Sequence, residues 1–140
     1  MKTLKSVMAG ILLMIVYASA NAAIKPVASR LTKEDVVNIY IDAIAHNDMK
    51  GLDGILDDGL QYNIQRGADV RTLHKSDLMD YLQSNPADPS VTTKTTIVES
   101  GDMHSVVRID FKYAAYTRSD LLTLDDQGGW VITKVESSFS

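Results

Sequence analysis

The chain contains no cysteine among its 140 residues. Disulfide bonds and lipid attachment to an N-terminal cysteine are therefore excluded, so packing alone must stabilise the fold. The thiolate ligands of structural zinc sites are missing too, and the three histidines (His46, His74 and His104) share no metal-ligand spacing with a third donor. Phosphate-binding glycine loops, dinucleotide fingerprints and nucleophile elbows are also absent. We predict neither a metal site nor a cofactor.

Basic residues are few as well. Lysine and arginine number 14 against 18 acidic residues, which gives a net charge of −4, and the basic residues form no cluster. An acidic chain without a basic patch is poorly suited to bind nucleic acid or an anionic membrane surface. We therefore predict no nucleic-acid partner.

Long apolar runs are absent, and the longest stretch, Val7–Tyr17, is too short to span a bilayer as a helix. It follows Lys2 and Lys5 and precedes Ala20-Asn21-Ala22, the small-x-small pattern that signal peptidase recognises. The alternative is a retained membrane anchor. The pattern predicts a signal peptide over residues 1–22, cleavage after Ala22, and a periplasmic or secreted protein that has no membrane contact afterwards.

The remainder is long enough for one domain with one core. Cleavage would remove two lysines and no acid, which changes the net charge from −4 to −6. We expect residues 23–30 to form a flexible leader and residues 31–140 to form the domain.

The first half of this domain predicts helices. Thr32 and Asp35 have the spacing of a capping box, and the apolar stripe that follows is helical: Val36, Val37, Tyr40, Ile41 and Ile44. A second, short helix is expected after Asp48 and is predicted to end at Asp57-Asp58-Gly59. Ser76 is predicted to cap a third helix.

The second half predicts a sheet. Val107, Ile109 and Phe111 alternate with polar residues, and Trp130–Ile132 opens a last strand after the Gly128-Gly129 turn. A period of two indicates one apolar face, which the helices must cover. Helices followed by an antiparallel meander indicate an α+β fold.

These elements and four local motifs resemble the nuclear transport factor two-like superfamily. The motifs are His46-Asn47-Asp48, Leu73–Leu78, Gly101-Asp102 and Gly128–Ile132. More narrowly, the chain is similar to small bacterial proteins described as lumazine-binding or polyketide-cyclase-like, over Leu31 to Ser138. The resemblance implies a cone, in which a curved antiparallel sheet wraps three helices, and a homodimer that forms through the outer sheet face. Enzymes of this fold commonly use a carboxylate inside the cone as a base.

Two residues are candidates for acid–base chemistry. Asp120 shares its parity with Leu122 and Leu124 and is expected to point into the cone, although a bulge within Tyr116–Ser119 would change that register. Asp110 is expected to point outward. His74 is expected near the cone mouth. With Asp120 or His74 as the base, the chain would be an isomerase, dehydratase or cyclase-like enzyme.

Four aromatic residues, Tyr40, Tyr62, Tyr113 and Trp130, are expected on the apolar face. Their rings suit a pocket for a flat ligand, and the alternative is ordinary core packing. Because this aromatic set is better developed than the acid–base set, we predict an exported domain without catalysis. It would bind a small apolar or aromatic molecule in the cone, or serve as a dimeric scaffold.

Overall fold

A computed structural model describes residues 31–85 and 87–140, so the predicted signal peptide and the leader lie outside the described residues. Thr32–Ser140 forms one compact unit. Three helices and six strands follow in chain order: α1 Lys33–His46, α2 Leu52–Ile55, β1 Leu56–Arg66, β2 Asp69–Leu73, α3 Lys75–Ser84, β3 Thr92–Ser100, β4 His104–Lys112, β5 Thr117–Asp126 and β6 Trp130–Phe139.

All six strands form one curved, unclosed sheet in the order β2-β1-β6-β5-β4-β3. The predicted α+β class, with a curved sheet around three helices, is confirmed. Four of the five strand pairs are antiparallel, as expected, but β1 and β6 run parallel. After β1 the chain passes through β2, α3, β3, β4 and β5, and β6 then lies beside β1 and runs in the same direction. The sheet is therefore mixed.

α1 begins with the predicted capping box. The Thr32 hydroxyl accepts a hydrogen bond from the Asp35 amide at 3.1 Å, and the Asp35 carboxylate accepts one from the Thr32 amide at 3.0 Å. The helix ends at Asn47, whose φ of 55° lies in the left-handed region. Its apolar stripe, which includes Val36, Tyr40 and Ile44, is buried against the sheet.

The predicted end of α2 was wrong. Asp57, Asp58 and Gly59 lie inside β1, which begins at Leu56. The pairing of β1 with β6 is irregular between Leu56 and Gln61, so these three residues fall where the ladder is interrupted, and Asp58 and Gly59 are exposed. Asp125 and Asp126 are the last two residues of β5.

The predicted cap of α3 was also wrong. The N-cap is His74 rather than Ser76, and the helix begins at Lys75. Asp77 accepts a hydrogen bond from the His74 amide at 3.1 Å. The acidic residue three positions after the cap therefore fixes the helix start, with the same spacing as in Thr32 and Asp35.

The core lies between the helices and one face of the sheet, the inner face. β4 and β5 pair without interruption from His104–Asp125 to Lys112–Thr117, so no bulge shifts the register of Thr117–Ser119 ahead of Asp120. The irregularity lies instead in β6, where Lys134 faces Thr123 and Ile132 faces Leu124, so Thr133 is the extra residue. Asp120 is consequently on the inner face with no exposed surface.

Candidate functional site

Four polar side chains form a closed, buried network on the inner face, which we name the inner polar ring: Tyr40, Tyr62, Arg118 and Asp120. Tyr40 comes from α1, Tyr62 from β1, and the other two from β5. The tyrosines and Asp120 have no exposed surface, and Arg118 is 7% exposed. Asp120 thus has a buried counter-ion, which a buried carboxylate requires.

The geometry fixes the direction of each hydrogen bond in the ring. The Tyr40 hydroxyl donates to Asp120 Oδ2 at 2.6 Å, which uses its only proton. The Tyr62 hydroxyl, 3.0 Å away, must therefore donate to the Tyr40 oxygen. Arg118 Nη2 donates to the Tyr62 oxygen, and Arg118 Nε donates to Asp120 Oδ1 at 2.9 Å. Each tyrosine proton is committed within the ring.

Burial sets the protonation of this ring. It raises the pKa of Tyr40 well above its ordinary value, and the nearby Asp120 raises it further. Burial also raises the pKa of Tyr62, although Arg118 acts in the opposite direction. For Arg118, burial alone lowers the pKa, but Tyr62 and Asp120 more than offset this and raise it well above its usual range. At neutral pH the tyrosines are donors and the guanidinium is charged.

The two acid–base candidates occupy different environments. Asp120 uses both carboxylate oxygens inside the ring, so accepting a substrate proton would require breaking a buried ion pair. His74 is exposed and lines a surface pocket with Asp53, Asp58 and Lys75. None of these belongs to the ring. The structure does not bring His74 and Asp120 into one site.

The aromatic candidates divide into two groups. Tyr40 and Tyr62 meet in the ring, and Tyr113 approaches it from the surface by a chain of contacts. Tyr113 stacks on Tyr116, with ring centroids 4.7 Å apart; Tyr116 lies 5.8 Å from Phe139; and the Phe139 centroid is 5.8 Å from the Arg118 guanidinium.

Trp130 lies apart from these residues. Ser137 of β6 faces Asp120, and Trp130 is seven positions earlier on the same strand, roughly 20 Å away at ~3.3 Å per residue. The Trp130 ring instead lies 4.9 Å from the Lys33 amine, at the start of α1.

A cleft of about 800 Å³ opens on the inner face between α1 and β3, and we name it the α1–β3 cleft. β3 is the sheet edge and is exposed at every position. Its Thr95 and Ile97 face the same side as their partners Ile109 and Val107. Because Ile97 is 69% exposed while Val107 is buried, the helix covers β4 but leaves the inner face of β3 open.

The walls of the cleft combine apolar and polar groups: Thr32, Lys33, Glu34, Asp35, Val37, Asn38, Thr95, Ile97, Ser100, Ser105 and Val107. At one end the Lys33 amine donates to Ser105 Oγ at 3.1 Å, to the Gly101 carbonyl at 3.2 Å and to Ser100 Oγ at 3.3 Å. These bonds use its three protons. Lys33 thereby lies between the cleft and the ring of Trp130.

Sequence reasoning missed Arg118, Lys33 and the cleft. The inward direction of Arg118 could have been predicted from the sequence, because Arg118 precedes Asp120 by two residues on the same strand and therefore lies on the same face. Nothing local marks Lys33, whose hydrogen-bond partners are 67 to 72 residues away in the chain.

Within residues 31–85 and 87–140, no three acidic or histidine side chains cluster to hold a metal ion. In the same residues, no helix has the length and apolarity needed to cross a membrane.

Comparison with known proteins places this geometry in a family. The model of the family described as "Putative lumazine-binding" matches residues 28–138. The chain belongs to this family. No functionally curated protein matches the sequence.

Solved structures share the fold at low sequence identity. A nuclear transport factor two-like protein of unknown function from Silicibacter pomeroyi is 14% identical with a TM-score of 0.63, over 86% of this chain and 100% of that chain. One from Shewanella baltica, also of unknown function, is 12% identical with a TM-score of 0.66, over 86% and 98%. A protein titled "putative ketosteroid isomerase" from Parabacteroides distasonis is 12% identical with a TM-score of 0.58, over 79% and 89%. These structures establish the fold alone.

Proposed function

We propose that this protein binds a small apolar or aromatic molecule in the α1–β3 cleft without transforming it. The observation that carries the proposal is the cleft itself, an open concavity of about 800 Å³ on the inner face of the sheet. Cavities of roughly 300–1,000 Å³ with mostly apolar walls and a few placed polar groups are typical of small-molecule sites. The family description supports ligand binding as the general role.

The lining indicates how such a ligand would lie. Val37 and Val107 form the apolar wall on which α1 and β4 meet, and Ile97 extends it over the edge strand. Ser100 and Asn38, which are both exposed, offer a hydroxyl and an amide group that orient a ligand by one or two hydrogen bonds. A compact, mostly apolar molecule with a polar end fits this combination.

Trp130 is the only tryptophan and contacts Lys33 at the end of the cleft, so its fluorescence reports on occupancy. The experiment adds the small-molecule fraction extracted from the protein's own source to ligand-stripped protein. Ile97→Glu places a charge in the cleft, whereas Val98→Glu places the same charge on the outer face, where Val98 lines a different groove. We expect wild type and Val98→Glu to respond and Ile97→Glu to lose the response. An equal response from all three proteins would refute binding in the cleft.

Catalysis by the cone is the less favoured alternative. It would need a base free to accept a proton, and Asp120 is committed to Arg118 and Tyr40. His74 is separated from the inner polar ring and serves as the N-cap of α3.

Dimerisation through the outer sheet face is part of the same proposal. A groove of about 770 Å³ crosses this face, and the exposed Val70 and Val98 line it. Exposed valines on a sheet face suit burial against a second copy. Light scattering should give twice the mass of one chain, and Val70→Glu combined with Val98→Glu should give the mass of one. A wild-type protein that remains monomeric at high concentration would remove the dimer and leave the binding proposal standing.

Export is the last part of the proposal and is supported by the sequence of residues 1–22. N-terminal sequencing of the protein from its own source should begin at Ala23. A chain that retains Met1 or lacks only that residue would contradict cleavage.

A further inference from the structure

Two arginines on the inner face have no hydrogen-bond or ion-pair partner among the described residues. Four arginines lie in this part of the chain. Arg108 pairs with Asp110, and Arg118 pairs with Asp120. The side chains of Arg66 and Arg71, in contrast, form neither a hydrogen bond nor an ion pair to any residue within 31–85 and 87–140. Each guanidinium therefore presents five unused donors.

Both side chains lie on the inner side of the β1–β2 hairpin. Arg66 continues the parity of Tyr62 and Ile64, and Arg71 pairs directly with Ile64 across the hairpin. Together they line a cavity of about 210 Å³, which we name the arginine cavity: Ile64, Arg66, Asp69, Arg71 and Tyr81. It shares no lining residue with the α1–β3 cleft.

An aromatic contact orients one of the two guanidinium groups. The Arg66 guanidinium lies 4.3 Å from the centroid of the Phe139 ring. Stacking on an aromatic face occupies the plane of a guanidinium and leaves its hydrogen-bonding edge available. Planar forks of this kind match the two oxygens of a carboxylate.

We propose that the arginine cavity binds a small aromatic carboxylate, as a site independent of the α1–β3 cleft. The carboxylate lies between Arg66 and Arg71, and the aromatic ring packs against Tyr81 and Ile64. The volume supports a ligand of this size, because it is below the roughly 300 Å³ at which pockets for drug-sized molecules begin.

Asp69 is the acidic residue in the cavity lining and opposes the ligand charge. Asp77 and Asp80 line the neighbouring pocket on the other side of Arg71. These carboxylates weaken attraction of an anion at a distance but do not block the donors of Arg66 and Arg71. The proposal therefore predicts that Asp69→Asn tightens binding.

The test uses benzoate as the probe and benzamide as its neutral counterpart, with affinity measured by an amide NMR titration. Benzoate should bind wild type and shift the amides around Ile64 and Tyr81, and benzamide should bind more weakly. Arg66→Gln and Arg71→Gln should each weaken benzoate about tenfold or more, since a hydrogen bond between charged groups is lost. Arg66→Lys keeps the charge but not the planar fork, so it should recover only part of the affinity.

Arg108→Gln is the matched control, because this arginine is exposed on the outer face and should leave benzoate affinity unchanged. Ile97→Glu, in the α1–β3 cleft, should also leave it unchanged, so failure of the cleft proposal and failure of this one are distinguishable. The proposal is overturned if benzoate does not bind, if benzamide binds equally well, or if Arg108→Gln weakens benzoate as much as Arg66→Gln does.

Discussion

The buried ion pair of Arg118 and Asp120 distinguishes this cone from a purely apolar core. Arg118 lies near three aromatic rings, with its guanidinium 5.8 Å from the centroids of Phe111 and Phe139 and 6.0 Å from that of Tyr62. In such surroundings the pair is tolerated because each partner satisfies the other. Removing one charge leaves the second one buried without compensation.

Asp120→Asn should therefore lower the free energy of unfolding by about 3–5 kcal/mol, the usual cost of breaking a buried pair from one side. Asp110→Asn is the matched control, because Asp110 also pairs with an arginine two residues before it, at 3.1 Å, but on the outer face. Its effect should be about 1 kcal/mol or less. Urea denaturation of both variants measures the difference, and equal effects would contradict the buried ring.

His104 makes the stability of the fold depend on pH. Its hydrogen bond with Asp125, at 2.7 Å, raises the pKa of its imidazole, and Glu99 adds to this effect. A raised pKa in the folded state stabilises the fold fully below the ordinary value of 6.5, and this contribution is lost as the pH rises through the raised value.

His104→Gln should consequently lower the melting temperature below pH 6.5 and have little effect at alkaline pH. Thermal unfolding of this variant and of wild type across the pH range measures the difference. If the loss of melting temperature in His104→Gln instead grew as the pH rises, stabilisation by the charged imidazole would be contradicted.

At the scale of elements, α1 and α3 each begin where an acidic residue three positions after the N-cap accepts a hydrogen bond from the N-cap amide. Thr32 and Asp35 were predicted as a capping box and form one. In α3, Asp77 identifies His74 as the N-cap, because it lies three positions after it. Ser76 was predicted instead because serine is a common N-cap residue.

Thr32→Ala should therefore destabilise the protein by about 1 kcal/mol, the typical value for a lost cap. Ser76→Ala should change stability by less than about 0.5 kcal/mol, because Ser76 is exposed within α3 and does not cap it. Denaturant midpoints of the two variants give the comparison. A larger loss of stability in Ser76→Ala than in Thr32→Ala would contradict His74 as the N-cap of α3.

The alternation of apolar and polar residues predicted the sheet and the inward direction of Asp120, because these depend on neighbours along one strand. It did not predict the parallel pairing of β1 with β6, which depends on where distant strands meet. The same alternation could have predicted Arg118 as the partner of Asp120, because the two residues are two positions apart on one strand. It could not have predicted the cleft, which depends on how far α1 extends across β3, and the sequence of either element alone does not determine that distance.

At the scale of the whole molecule, the helices cover the sheet unevenly. They bury β1, β6, β5 and β4 along the inner face and leave β3 exposed at all nine positions. A core that closed over β3 would have no cleft. The open edge is thus the feature that leaves the α1–β3 cleft beside the core, while the inner polar ring fills the interior of the cone.

Native mass spectrometry of the protein purified from its own source tests ligand binding in the α1–β3 cleft most directly. The account predicts a small molecule of defined mass that co-purifies with wild type and Val98→Glu, and that is absent from Ile97→Glu. A co-purifying mass retained in full by Ile97→Glu, or no bound mass in any of the three proteins, would contradict it.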